Sequence, residues 1–454
     1  MKNFHKLSIA LLSFIILFPF SLHGQSIWSL ERCIDYALEH NLDIRQQRLE
    51  VDRAGHNVTQ AYANMAPNLN AGVRAGFNFG RSIDEVTNEF FTERVASQNM
   101  SMSSSFTLFA GFQTINNIRR NLAMQTALKY DSERLENEII LTIANAYLQV
   151  LYFEDMLEVA EQQMENARQQ VERTRVMVEG GALSKGELLE IEAIAAEQEA
   201  RYTNTNNQLS LAYLELMNLL ELDPTEDFTV ERPPVDVEDV SAMHDPEAVY
   251  RKALQIEPSV AAASKRIELA DHQLSIARGQ RIPSLVLNSS IGTAYSEGFR
   301  QMVENNGEPV FETIPYRDQI SENLSRSIHV TLQIPVFNNL RTRTNIQHAR
   351  IDRDRAEIQL ERTKTRLNQL IHQSHADAMA AYQTYLSNTK ALEAARESLL
   401  HADESFRLGL MSTLEYNEAV TRFNRAETNL IQSTYEFVFM VKILEFYQGE
   451  GFVL

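Results

Sequence analysis

The 454-residue chain is poor in cysteine, poor in tryptophan, and free of proline over long intervals. Its one cysteine, Cys33, excludes an internal disulfide framework and a multi-cysteine metal site. The setting of that residue in "LERCIDYAL" predicts a buried thiol on a helix. Basic side chains are in the minority: 42 Lys and Arg stand against 61 Asp and Glu, for a formal charge of −19. Nucleic-acid binding through the phosphate backbone needs a basic face, so that class of partner is excluded. No Gly-rich phosphate loop and no nucleophile elbow in a supporting context appears, so nothing points to an enzyme or a cofactor. Past the N-terminus no run is apolar enough to cross a bilayer as a helix. Prolines stand at 67 and 224 with none between, and none follows Pro335, which leaves room for very long helices.

The opening "MKNFHKLSIALLSFIILFPFSLHGQS" places Lys2 and Lys6 before an apolar run from Leu7 to about Phe20, then small and polar residues. This is the layout of a secretory signal peptide over residues 1–24, with cleavage expected near Gly24 and Leu22 at the −3 position. No cysteine directly follows the run to carry a lipid anchor. A secreted chain of this kind enters a membrane only as a closed β-barrel, because lipid cannot satisfy an open sheet edge.

The sequence repeats itself. A shift of 216 carries Ala37, Leu38, Ala54, Ala61, Pro67, Leu69 and Gly76 onto Ala253, Leu254, Ala270, Ala277, Pro283, Leu285 and Gly292. A shift of 228 carries Phe109, Thr114, Asn117 and Ile118 onto Phe337, Thr342, Asn345 and Ile346. The same 228 carries Gly181, Ser184, Glu187 and Glu190 onto Gly409, Ser412, Glu415 and Glu418. The change of offset is a 12-residue insertion between Gly292 and Phe337. The expected organisation is a first repeat over 25–222, an acidic proline-containing linker over 223–245, and a second repeat over 246–454.

Each repeat follows one plan. A helix is expected first, over 30–64 and 246–280, then strands near 67–80 and 99–109 and near 283–293 and 327–337. Alternation is clear: Leu69, Ala71, Val73, Ala75, Phe77 and Phe79 share one face, Asn70, Arg74 and Asn78 the other. In "SIHVTLQIPVF", Ile328, Val330, Leu332 and Ile334 oppose Ser327, His329, Thr331 and Gln333. Polar loops near 81–98 and 293–322 are expected to face outward. A long helix follows the second strand. Ile143, Ala146, Val150, Phe153, Leu157, Ala160, Met164, Ala167 and Val171 step by 3 and 4, a heptad seam for helices lying nearly parallel. From Ile115 to Val178 such a helix reaches ~96 Å, too long for a globular core. Glycine turns near 180–186 and 407–413 then lead into returning helices, so the two long hairpins contribute four helical rods per chain. Four strands cannot close a barrel, for which ~8 is about the minimum; three chains pooling twelve strands can.

This order of elements, with Pro67 and Pro283 ahead of the strands, "TLFAGF" and "IPVFNN" after them, and "RLGL" with S-x-x-E-x-x-E at the second turn, resembles the TolC-like outer-membrane efflux proteins over essentially the whole mature chain. The resemblance implies a mainly α fold with a membrane β-barrel part. It implies a homotrimer with a 12-stranded barrel in outer-membrane lipid, continued by an α-helical periplasmic tunnel. It implies a passive exit duct served by a periplasmic adaptor and an inner-membrane transporter of the RND or ABC type. A type I protein-secretion duct of the same fold and a secreted coiled-coil scaffold without a pore are the alternatives.

By position, the resemblance places adaptor docking at Gly181, Ala182 and Leu183 and at Arg407, Leu408, Gly409, Leu410 and Ser412. Glu187/Glu190 and Glu415/Glu418 are spaced i, i+3 and share a helix face. In the family, acidic residues matching Glu415 and Glu418 ring the tunnel mouth, which implies a negative, cation-favouring gate. Some relatives tie the closed gate with an arginine where this chain has Met411; Lys185 and Arg407 are the basic residues nearby. His372, His375 and Asp377 in "HQSHAD" have possible ligand spacing, but this is common surface chemistry on a helix, and no metal is expected.

Overall fold

The computed structural model describes residues 26–83, 90–225, 227–233, 245–305 and 308–452. The expected signal segment and most of the expected linker lie outside the described residues. In chain order the elements are β1 (Ser26–Trp28), α1 (Leu30–His40), α2 (Leu42–Ala63), β2 (Asn70–Ile83), β3 (Phe90–Ala110), α3 (Gln113–Glu179), α4 (Lys185–Leu219) and β4 (Phe228–Val230). There follow α5 (Pro246–Ile256), α6 (Pro258–Gly279), β5 (Ser284–Ser296), β6 (Arg300–Asn305), β7 (Glu308–Thr313), α7 (Tyr316–Glu322), β8 (Ser325–Gln333), α8 (Arg341–Arg407) and α9 (Thr413–Tyr447).

The duplication is visible in the element bounds. Helices α1 and α2 recur as α5 and α6 at an offset of 216, and α3 and α4 recur as α8 and α9 at 228. The left-handed turns recur at 228 too: Gly111 and Phe112 match Asn339 and Leu340, Gly181 matches Gly409, and Glu221 matches Gly449. The extra residues of the second copy fall in the region that holds β6, β7 and α7.

Several elements depart from expectation. The helix expected over 30–64 is two helices. Asn41 stops α1, and its side-chain oxygen accepts from the amides of Asp43 and Ile44 at 3.0 and 3.2 Å, which starts α2. In the second copy Pro258, with no N–H to give, starts α6 after Glu257 closes α5. The second strand begins at Phe90, so the loop expected over 81–98 is largely strand. The segment expected as a loop over 293–322 holds the end of β5, the β6–β7 hairpin and α7. The fourth strand ends at Gln333, because Pro335 offers no donor and biases Ile334.

The chain forms two compact units. The first comprises Met1–Gln46, Arg134–Glu257 and Arg366–Leu454. Its core is built from Cys33 and Ala37 of α1, Ile143, Tyr147, Val150 and Leu151 of α3, and Leu216 of α4. The predicted seam is buried at Ile143, Ala146, Val150 and Ala160. β1 pairs in parallel with β4, Trp28 beside Val230. The Tyr147 hydroxyl reaches the backbone oxygens of Trp28 (3.2 Å) and Glu231 (2.6 Å), tying both short strands to α3. Burial holds the Tyr147 hydroxyl well above the ordinary tyrosine range and pushes the Cys33 thiol up to about 12.

The second unit comprises Gln47–Glu133 and Pro258–Thr365. It holds a four-stranded antiparallel sheet in the order β2-β3-β5-β8, with a bulge in β3 between Thr107 and Phe109. All the strand ends that join α2, α3, α6 and α8 lie at one end of the sheet, since neighbouring strands alternate in direction. There Gly111 turns β3 into α3 at φ +58°, and a Cβ on it would sit 2.5 Å from the Gly279 carbonyl oxygen. Leu274, Ala277, Ile346 and Ala349 form a small core, and Arg353 pairs with Asp271 at 2.7 Å.

Replacing Tyr147 by Phe takes away the hydroxyl donor to the Glu231 carbonyl. The expected cost is about 1–3 kcal/mol, read as a lower urea midpoint and faster proteolysis within residues 227–233.

Candidate functional site

Residues paired across an antiparallel sheet lie on the same face, so the register sorts the sheet into two surfaces. One face carries Val73 and Phe77 of β2, Met100, Met102 and Phe106 of β3, Leu285, Leu287 and Ile291 of β5, and Ile328, Val330 and Leu332 of β8. The other carries Asn70, Arg74 and Asn78, then Ser97, Asn99, Ser101 and Ser103, then Asn288, Ser290 and Gly292, then Ser327, His329 and Thr331. Hydroxyls and amides on this second face bond one another: Ser290 and Ser327 at 2.7 Å, Asn78 and Ser97 at 3.2 Å.

Among the described residues, the apolar face has no protein core against it. Val73 is 68 % exposed, Phe79 78 %, Ile328 77 % and Val330 57 %. A soluble sheet buries such a face, and an exposed apolar patch of this extent marks a surface that meets lipid or protein. β2 and β8 are the edges of the sheet. Beyond the end of β8 the edge of β5 is covered by a side chain: the Gln319 amide on α7 accepts from the Ser296 N–H at 2.9 Å and donates to its carbonyl at 3.0 Å, standing in for a strand.

The two helical turns share one design. α3 and α8 each end in a Schellman turn. Ala182 N–H donates to Met177 O at 2.8 Å and Gly181 N–H to Val178 O at 3.0 Å, as Leu410 does to Ser405 O at 2.9 Å and Gly409 to Phe406 O at 3.0 Å. Gly181 and Gly409 take φ +76° and +72°, a region costly for residues with a Cβ. α4 and α9 then begin with capping boxes. The Glu187 carboxylate accepts from Ser184 N–H at 2.8 Å, and the Glu415 carboxylate from Ser412 N–H at 2.9 Å and its hydroxyl at 2.8 Å. These bonds hold both carboxyls below the ordinary range, so both are ionised at neutral pH.

Glu187 and Glu415 are therefore capping residues before they are anything else, a role that S-x-x-E before an apolar helix signals. Glu190 and Glu418 are exposed, Glu418 reaching Arg422 at 4.0 Å. Among the described residues of one chain no ion pair links Lys185 or Arg407 to a carboxylate. Leu408, Leu410 and Leu414 are exposed, while Phe406 and Tyr416 stack at 4.7 Å across the second turn. His372 is exposed on α8, with His375 and Asp377 half-buried.

A model of the family described as outer membrane efflux protein matches residues 33–221 and again 249–439, once in each repeat. The chain belongs to this family. OprJ of Pseudomonas aeruginosa is 24% identical over 402 residues, 86% of this chain and 77% of OprJ. TolC of Vibrio cholerae is 22% identical over 441 residues, 94% and 92% of the two chains. Among solved structures, VceC of Vibrio cholerae superposes with a TM-score of 0.76 at 18% identity, covering 93% of this chain and 97% of VceC. The Neisseria gonorrhoeae MtrE channel gives 0.74 at 17%, covering 93% and 89%. The protein is an outer-membrane efflux channel component with the TolC-like fold.

If the apolar face meets lipid, Val330→Arg costs about 2–4 kcal/mol near the bilayer midplane and removes the protein from the outer-membrane fraction. Thr331→Arg, one residue along and on the opposite face, leaves its membrane level unchanged. Equal effects of the two would contradict the facing.

Proposed function

We propose that three copies of this chain pair edge to edge, β8 of one with β2 of the next, to close a twelve-stranded barrel. The helical hairpins carry the conduit into the periplasm. The observation that carries this reading is the four-stranded sheet with one apolar face exposed and two strand edges without partners among the described residues. The protein is then a passive exit duct. An inner-membrane pump supplies the energy, and a periplasmic adaptor joins the pump to the glycine turns, where Leu183, Leu408 and Leu410 offer apolar contacts.

The acidic residues past the turns give the mouth its charge. Threefold symmetry brings Glu415 and Glu418 of each copy into one ring, with Glu187 and Glu190 behind. The charge of the chain is unevenly spread: the sheet-bearing unit holds 20 of the 61 acidic and 22 of the 42 basic side chains, so the other unit carries the whole negative excess. A negative field along the helical unit favours cations and repels anions at low salt.

The capping geometry selects the variant that tests the gate. Glu415→Ala would unmake the helix start as well as the charge, whereas Gln serves equally in a capping box. Glu415→Gln with Glu418→Gln is expected to form trimers as the wild type does, and to lose cation selectivity in single-channel recordings at low salt. Unchanged selectivity in an assembled double variant would remove the gate assignment and leave the barrel untouched.

A further inference from the structure

At the end of the sheet away from the helices, β3 outruns β5. Its pairing with β5 stops at Ser97 and Ser296, while its pairing with β2 continues to Ile83 and Phe90. The register places Phe77, Phe79, Arg81 and Ile83 with Phe90, Thr92, Arg94 and Ala96 on one side of this ribbon, continuing the apolar face. The Arg81 guanidinium lies 3.9 Å from the centroid of the Phe90 ring, and that of Arg94 4.5 Å from the centroid of Phe77. Arg326 of β8 lies on the same face, opposite Ile291. Among the described residues, every charged side chain on this face is an arginine, and all three sit toward the hairpin ends of their strands. None has a carboxylate partner among the described ion pairs.

A lipid-facing arginine costs about 2–4 kcal/mol at the midplane and ~0–1 near the interface, so these side chains belong at headgroup level. There the guanidinium forks match phosphate oxygens in pairs, and the rings shield one side of each from water. We propose that Arg81 and Arg94 form a clamp for phosphate-bearing lipid headgroups of the outer leaflet, with Arg326 as a third basic contact. Phe77, Phe79 and Phe90 hold the clamp at the membrane surface. This rests on the barrel reading, which sets the ribbon end outward. The connection between the strands also carries Asp84, Glu85 and Glu89; arginines neutralised by that loop would bind no phosphate, and the assay below shows which holds.

The test starts from detergent-extracted trimer, so that failure of the barrel is seen first as absence of trimer. Immobilised trimer is washed with mixed micelles containing bisphosphorylated lipid A or its dephosphorylated form, and retained lipid is measured by mass spectrometry. Wild type should prefer the phosphorylated lipid by about tenfold, a difference of ~1.4 kcal/mol. Arg81→Gln with Arg94→Gln should lose that preference, Arg81→Lys with Arg94→Lys should keep part of it, and Arg74→Gln on the opposite face should keep all of it. Equal retention of the two lipids by wild-type trimer overturns the clamp, whether or not the variants assemble. Displacement of bound lipid by inorganic phosphate alone would overturn its assignment to lipid.

Discussion

Unpaired backbone cannot stand in hydrocarbon, and most of this protein's design follows from that constraint. Each N–H or C=O left without a partner in lipid costs several kcal/mol. Among its described residues the chain nevertheless builds a sheet whose two edges are unpaired, with an apolar face left exposed except at its outer end, where α7 sets Tyr316 against Tyr295. Closure with further copies, the assembly proposed for this chain, satisfies that constraint. The same constraint explains a local device. Where β8 is too short to cover the outer end of β5, a glutamine side chain supplies the donor and acceptor that a neighbouring strand would have given.

Duplication makes that closure regular. Two repeats supply two hairpins with the same alternation. The helices that leave them begin and end at matched positions, through left-handed turns spaced 228 residues apart. The turns do not depend on one residue type. Gly111 is required because a second backbone passes within contact distance, whereas its counterpart Asn339 tolerates the left-handed region through its short polar side chain. At the far turns glycine and serine act together: one ends a helix with satisfied carbonyls, the other starts the next with satisfied amides. A carboxylate spent on capping stays ionised, so in the proposed gate the helix start and the charge of the mouth share one residue.

Much of this was legible in the sequence because it rests on periodicity. Alternation in "SIHVTLQ" and the heptad steps from Ile143 onward report which side of an element is apolar, and that depends on the chain alone. What escaped depends on partners distant in sequence or on single side chains. Asn41 breaks a helix by bonding two amides, and nothing in the apolar pattern marks it. β1 and β4 have three residues each, too few to alternate; the Tyr147 hydroxyl holds their backbone, and Trp28 of β1 packs on Phe228 of β4. The stretch from Arg81 to Gln98 reads as a loop because polar and charged residues together dominate it, yet Phe79, Arg81 and Ile83 keep the period of two. Glu187 and Glu415 stand out in the sequence as paired charges with Glu190 and Glu418, yet their three-residue distance from Ser184 and Ser412 is also a capping signature.

Edge-to-edge closure is most directly tested by cysteine cross-linking in intact membranes. The native Cys33 is buried, and burial pushes its thiol up to about 12, so added cysteines dominate the reaction. A Gly76→Cys chain, where the added side chain meets open space, is combined with a cysteine moved along β8 from Ser325 to Gln333 and oxidised. At one register the account predicts a disulfide between copies, closing three chains into a ring that runs as a trimer on non-reducing gels. Monomers alone at every register, in membranes that contain the protein, would contradict it.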